Sequence, residues 1–193
     1  MKTRADWWKD ASAESARVAA FLAGSGRRFV FTVGCPVEIR IAYIYRVIFP
    51  GFRILRFYGR FMVARVAQWS DFPPVKRLLY RLIGVRVGRG VFISPDAIID
   101  PHFPSLITIG DHAVIGWGAK LFAHEFDGTK YTMGRIDIGR GAIIGAFTIV
   151  KNGVSVGDGA MVHAGGVVLR DVSPGARYGP VAAIRDIMAA VDE

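Results

Sequence analysis

Four histidines, at positions 102, 112, 124 and 163, and one cysteine, Cys35, are the side chains here best suited to moving a proton or holding a metal. His102 stands three residues after Ile99 and His124 three residues after Leu121. Imidazole titrates near neutral pH, so it can take the proton of a hydroxyl, which is otherwise a poor nucleophile. The lone cysteine rules out an intramolecular disulfide and, by itself, a cysteine-based zinc cluster. His124 also opens an eleven-residue interruption in an otherwise strict rhythm, in the stretch LFAHEFDGTKYTMGRIDI.

That rhythm is what must position the histidines. Apolar residues recur every six positions: Val87, Ile93, Ile99, then Ile109, Ile115, Leu121, then Ile138, Ile144, Val150, Val156, Val162, Val168. A small or branched residue stands two positions before each, and glycine commonly follows, as in ITIGDH and VSVGDG. Each hexad reads as one short strand and a turn. Three strands close a triangular coil, coils stack at about 4.8 Å, and twelve hexads predict four coils of a parallel β-helix. An antiparallel sandwich would instead show turn signals at variable spacings of about 8–12 residues. Ile99 and Leu121 then fall on one face in adjacent coils, which stacks His102 and His124 at one corner, roughly 5 Å apart along the axis. The interruption must leave at that corner, and loops of this length in compact domains are usually functional.

The stretches IIDPHFPSLITIGDHAVIGWGAKLFAHEF and IDIGRGAIIGAFTIVKNGVSVGDGAMVHAGGVVLRDVSPGA carry a resemblance. They resemble the left-handed β-helix acyltransferases of the hexapeptide-repeat superfamily, within it most the maltose, galactoside and nodulation O-acetyltransferase type. The resemblance implies a co-substrate, acetyl-CoA or another acyl-CoA, and no metal. It makes His124 the general base, with Glu125 similar to the His-Glu pair of some relatives; a backbone carbonyl would orient the ring equally well. Asp100 and His102 lie in what looks like the acceptor-side segment. Ala146 and the run Ala164, Gly165 and Gly166 match small residues along which the pantetheine arm lies, where no Cβ intrudes. Arg170 matches a basic position suited to phosphate, and Arg185 is a further candidate for that role. Relatives of this kind assemble as homotrimers. The tail run Tyr178-Gly179-Pro180-Val181-Ala182-Ala183 departs from the family pattern, because its proline has moved and its lysine is missing.

The expected activity is therefore a CoA-dependent O-acyltransferase acting on a hydroxyl of a sugar, glycan or lipid-linked acceptor. Two other classes share such a coil. A zinc enzyme of the carbonic anhydrase type would bring three histidines together between subunits, but no two histidines here sit five apart. A non-catalytic trimeric scaffold would need no site at all.

The net charge of +9 is concentrated: residues 36–86 hold ten basic and two acidic side chains, whereas residues 87–193 hold nine and eleven. Four segments follow: an amphipathic helix and linker over 1–34, a basic, apolar helical cap over 35–84, the β-helix over 85–175 and a helical tail over 176–193. Helices are expected over 5–23, 37–49, 52–69 and 75–82. The cap shields the open end of the coil, and the arginines and tryptophans of residues 1–84 also suit an anionic membrane surface. No segment reaches the length of a spanning helix and no leader is evident, so a cytoplasmic protein, peripheral on the inner face of the membrane, is expected. No nucleic-acid-binding motif accompanies the charge.

Overall fold

The computed structural model describes residues 3–50 and 53–180. From Val85 on, the chain winds as a parallel β-helix whose three faces are three parallel sheets. The sequence register holds residue for residue. Val87, Ile109, Ile138 and Val156 stack on the first face, Ile93, Ile115, Ile144 and Val162 on the second, and Ile99, Leu121, Val150 and Val168 on the third. All twelve side chains are buried, together with the small residues two positions earlier, such as Ala97, Ala113 and Ala160. Small side chains at these inner positions leave room for the branched ones across a narrow prism. At Gly145 a Cβ would come within 2.5 Å of the Ala164 backbone nitrogen, so the stacking distance itself demands glycine. Corners take left-handed backbone, supplied by Gly118 and Gly165 but also by Asp96, His112 and Phe147. A fifth turn begins at Val172, which bridges to Val156 on the first face, and continues with Arg177–Tyr178 on the second, so residues 176–178 of the expected tail belong to the coil.

Four helices precede the coil among the described residues: α1 (Arg4–Ala23), α2 (Val37–Ile48), α3 (Arg53–Trp69) and α4 (Pro73–Ile83). Thr3 and Asp6 close a capping box on α1, Pro73 opens α4, and Gly84 ends α4 with φ 110°. The first coil has no coil beneath it, so its carbonyls need other donors. Helix α4 supplies them. Lys76 Nζ donates to Ser94 O (3.0 Å), Arg77 to Val91 O (3.0 Å), Tyr80 Oη to Ala97 O (3.3 Å) and Arg81 to Val87 O (2.8 Å). Lys76 is 1% exposed, and burial lowers its pKa.

The structure departs from the sequence reading in two linked places. The interruption is no bare loop but a hairpin, His124–Phe126 paired antiparallel with Lys130–Gly134. Its outer strand pairs in turn with Arg28–Thr32, which was expected to be linker. The N-terminal segment thus completes a three-stranded sheet standing off the coil. Arg135 ties it down through Gly24 O and Gly26 O, and Arg28 donates to Asn152 O (3.0 Å). Residues 181–193, where the tail helix and Arg185 were expected, lie outside the described residues.

Tyr80 is wholly buried and links the cap to the first coil. Tyr80→Ala is expected to destabilise the protein by about 3–5 kcal/mol, the usual range for emptying a large aromatic site; urea unfolding measures it, and a loss under about 1 kcal/mol would mean that α4 does not hold the coil end.

Candidate active site

Asp100 and His124 meet where both interruptions leave the third face. Asp100 directly follows the inward-facing Ile99, and its carboxylate is completely buried. It accepts hydrogen bonds from the backbone nitrogens of His102 (2.9 Å) and Ala123 (3.0 Å), and its Oδ2 lies 2.5 Å from His124 Nδ1. His102 Nδ1 stands 3.4 Å from the other oxygen. Burial, the largest influence, raises the Asp100 pKa, but its contacts with the His102 and His124 rings outweigh that, and the carboxyl is held well below the usual range. An ionised carboxylate accepts only, so His124 Nδ1 carries a proton and donates it to Asp100. The lone pair is then on Nε2.

The imidazole of His124 is held by rings on both sides. Tyr131, from the outer strand of the hairpin, stacks on it at 5.6 Å with planes 9° apart, and His102 lies 4.6 Å away on another side. Phe103 meets it edge-on at 5.5 Å. Phe31 stacks behind Tyr131 at 5.3 Å, so the N-terminal strand backs the ring through one intermediary. Phe57 of α3 packs on His102 at 4.7 Å.

Two cavities share His124. One, of about 340 Å³, is enclosed by Phe61, Arg65 and Gln68 of α3 and by Ile98, Asp100 and His102. The other, of about 250 Å³, runs along the third face past Phe122, Ile149, Lys151, Val167 and Leu169. A third, of about 360 Å³, adjoins the first through His102 and lies among α1, α2 and α3.

Several sequence expectations are redistributed. His102 and His124 do stack at one corner. Asp100 lines the cavity on the side of α3 together with His102, as the acceptor-side reading places it, but its carboxylate is buried and engaged with the backbone and His124. Glu125, next to the histidine in sequence, turns the other way, to Lys151 (3.0 Å) and Asn152 (3.4 Å); adjacent residues of a strand point to opposite sides. It is Asp100, twenty-four residues earlier, that orients the ring. Ala146 and Ala164 stack at a different corner, where Gly165 N bonds to Ala146 O (2.8 Å). Gly166 leads from there directly into Val167, a wall of the cavity that reaches His124. Arg170 is exposed just beyond Leu169. Among the described residues His112 and His163 do not join the cluster; the one group that could hold a metal is Asp100, His102 and His124, whose ligand atoms lie within 4.8 Å of one another. A carboxylate and two imidazoles suit a transition metal, but one bound to Asp100 and His124 Nδ1 would have to displace the proton shared between them. Tyr131, Phe103 and Phe57 went unnoticed in the sequence, where no spacing marks them; the alternation Phe29, Phe31, Val33 was a strand signal.

The parallel β-helix is shared with solved structures of low identity. The hexapeptide-repeat-containing acetyltransferase VCA0836 of Vibrio cholerae matches with TM-score 0.58 and 20% identity over 68% of this chain and 89% of that one. A galactoside acetyltransferase in complex with coenzyme A matches with TM-score 0.53 and 18% identity, over 79% and 82%. In sequence, YvoF of Bacillus subtilis, an assigned acetyltransferase, is 35% identical over 126 residues, which are 65% of this chain and 73% of YvoF. The chain belongs to the hexapeptide-repeat acetyltransferases. SAS0727 of Staphylococcus aureus, likewise an assigned acetyltransferase, is 32% identical over 63% of this chain and 78% of its own. No protein-family profile matches the chain. As a member of this family the protein is an acyltransferase, and its buried Asp100–His124 pair is the feature to which acyl-transfer chemistry can be tied.

Asp100→Asn puts an N–H either where Oδ1 now accepts from the His102 N–H or where Oδ2 now faces both the Ala123 N–H and His124 Nδ1. Nitrogen-resolved NMR of His124 should show the Nδ1–H tautomer in the wild type and a gain of Nε2–H in the variant. A carboxyl whose folded pKa is depressed contributes stability above its unfolded pKa of about 3.9, and that contribution fades as pH falls through the folded value. Between pH 7 and pH 3 the wild type should therefore lose more unfolding free energy than Asp100→Asn; equal losses would dismiss the charged Asp100.

Proposed function

We propose that this protein transfers an acetyl group from acetyl-CoA to a hydroxyl of a sugar, glycan or lipid-linked acceptor, with His124 as general base and Asp100 as the residue that positions it. The observation that carries the reading is the Asp100–His124 Nδ1 hydrogen bond, which leaves Nε2 as the proton acceptor beside two cavities. Further support comes from the relatives, among whose fold are a V. cholerae enzyme complexed with acetyl-CoA and a maltose O-acetyltransferase of Clostridium difficile.

The acyl donor occupies the cavity along the third face, its thin pantetheine arm following Ala146, Ala164, Gly165 and Gly166, and Arg170 meets its phosphates. The acceptor enters from the side of α3. As the acceptor oxygen bonds to the thioester carbonyl carbon, His124 Nε2 takes the hydroxyl proton. The tetrahedral intermediate collapses, the carbon–sulfur bond breaks, and the same proton passes to the departing sulfur. Asp100 stabilises the imidazolium in between and remains ionised.

His124→Ala should keep its fold and its acetyl-CoA-induced rise in melting temperature, while kcat falls by about 10²–10⁴. Unchanged turnover would remove His124 from the chemistry; absence of any thermal shift in the wild type at millimolar acetyl-CoA would favour a scaffold. Stoichiometric zinc in the purified protein would favour the metal reading.

No helix described is long and apolar enough to cross a membrane, yet the cap carries an exposed apolar stripe: Leu55, Tyr58, Met62, Val66 and Trp69 on α3, continued by Leu78 and Leu82 on α4. Its segment carries ten basic and two acidic residues. We assign this surface to an anionic membrane, on which a trimer of the chain rests peripherally. Light scattering should return the mass of three chains. Vesicles containing phosphatidylglycerol should sediment the protein where phosphatidylcholine vesicles do not, and Trp69→Glu with Leu78→Glu should abolish this; binding that ignores either change would contradict the assignment.

A further inference from the structure

The cavity beside His102 has a chemistry that acyl transfer to a neutral sugar does not require. Its walls are mixed, with Leu22 of α1, Ile48 of α2 and Phe57 of α3 among the apolar ones, and it opens onto His102 and Phe103 next to the base. Arg56 and Arg60 also line it, one helical turn apart on the same side of α3. Among the described residues neither guanidinium has a hydrogen-bonding or ion-pairing partner. Several other basic side chains of the cap behave differently: Arg40, Arg65, Lys76, Arg77 and Arg81 all donate to carbonyls or amides, and Arg46 lies over the Trp8 ring. Arg60 is half-buried, and burial first, then the like charge of Arg56, lowers its pKa.

Two neighbouring cations on one wall of a cavity without a counter-charge repel one another, and half-buried Arg60 also loses hydration, while Arg56 is exposed. A bound anion removes both costs, and a pair of planar guanidiniums favours phosphate or carboxylate oxygens that accept two parallel hydrogen bonds. The cavity meets the catalytic corner through His102, whose ring lies 4.6 Å from that of His124. A ligand whose charged group sits between the arginines can therefore present a hydroxyl towards the base.

We infer that the acceptor is an anion, a hydroxyl compound bearing a phosphate group, held by Arg56 and Arg60 with its apolar portion against Leu22, Ile48 and Phe57. This rests on the acyltransferase reading for the word acceptor but not for the anion site. The phosphate could be that of a soluble sugar phosphate or of a lipid-linked one, and the chemistry at the arginines is the same.

The test separates the two claims. Calorimetric titration of the full chain with inorganic phosphate and pyrophosphate, at low ionic strength, reads the site without any turnover. Saturable binding is expected, weakened at least tenfold in Arg56→Gln and Arg60→Gln and unchanged in Arg140→Gln, whose arginine sits on the coil near Asp158. Absence of saturable binding, or equal weakening in all three variants, overturns the anion site whatever the enzyme does. Turnover with acetyl-CoA is then compared for hexoses, their 1-phosphates and a polyprenyl-phosphate-linked hexose. Phosphorylated acceptors should be preferred, and Arg60→Gln should raise their KM at least tenfold with kcat little changed. Preference confined to the polyprenyl form selects the lipid source, and equal use of both selects the soluble phosphate as sufficient. Phosphate binding without transfer to any acceptor would count against the acyltransferase reading while leaving the anion site standing; neutral hexoses used as well as their phosphates would overturn the inference.

Discussion

Everything in this molecule depends on the parallel registration of successive coils. Each inward side chain stands directly over its counterpart one coil below, and the strand hydrogen bonds run between coils, while bonds within a coil only close its turns, as from Ala113 N to Gly110 O. A stack of this kind tolerates no insertion along a face, because one extra residue would turn the inward set outward. Insertions survive only at corners. The two that occur here leave from the same corner in consecutive coils, and this brings Asp100 and His124 to within 2.5 Å although twenty-four positions separate them. The geometry of the Asp100–His124 pair follows from the stacking repeat.

The same constraint sets what the N-terminal helices do. A coil end is a row of unpaired carbonyls, and helix α4 answers it with four long side chains whose donors reach back to Val87, Val91, Ser94 and Ala97. Burying Lys76 to this degree is costly for a charge, and its bonds to the Ser94 and Gln68 carbonyls offset part of that cost. With α4 fixed in this way, α3 lies across the third face, and the cavities beside His102 and His124 form between helix and coil.

The coil was legible in the sequence because a six-residue period repeated twelve times leaves little freedom, and both its register and the stacking of His102 over His124 followed. The partner of His124 was not legible. Proximity in sequence pointed to Glu125, but in a strand neighbours diverge, whereas a buried aspartate one coil below converges; only the folded repeat reveals that. Helices α1 to α4 showed in their apolar spacing; the strand Arg28–Thr32 carries only the short alternation Phe29, Phe31, Val33, which beside a glycine-rich turn reads as linker until its partner Lys130–Gly134 is known. Tyr131 and Phe103 carry no periodic signal. Their roles come from the hairpin and the short insertion, whose courses depend on tertiary pairing.

That N-terminal strand carries a consequence for anyone who would transplant this centre. The hairpin bearing His124 pairs on its outer side with residues 28–32, and the stack Phe31–Tyr131–His124 crosses that seam. In physical terms the unit that fixes the imidazole is discontinuous, assembled from three pieces of chain around positions 30, 100 and 130. Moving the hairpin alone into another scaffold would carry the imidazole without the aromatic wall behind it. Removing the strand Arg28–Thr32 would loosen the same ring from about a hundred residues away.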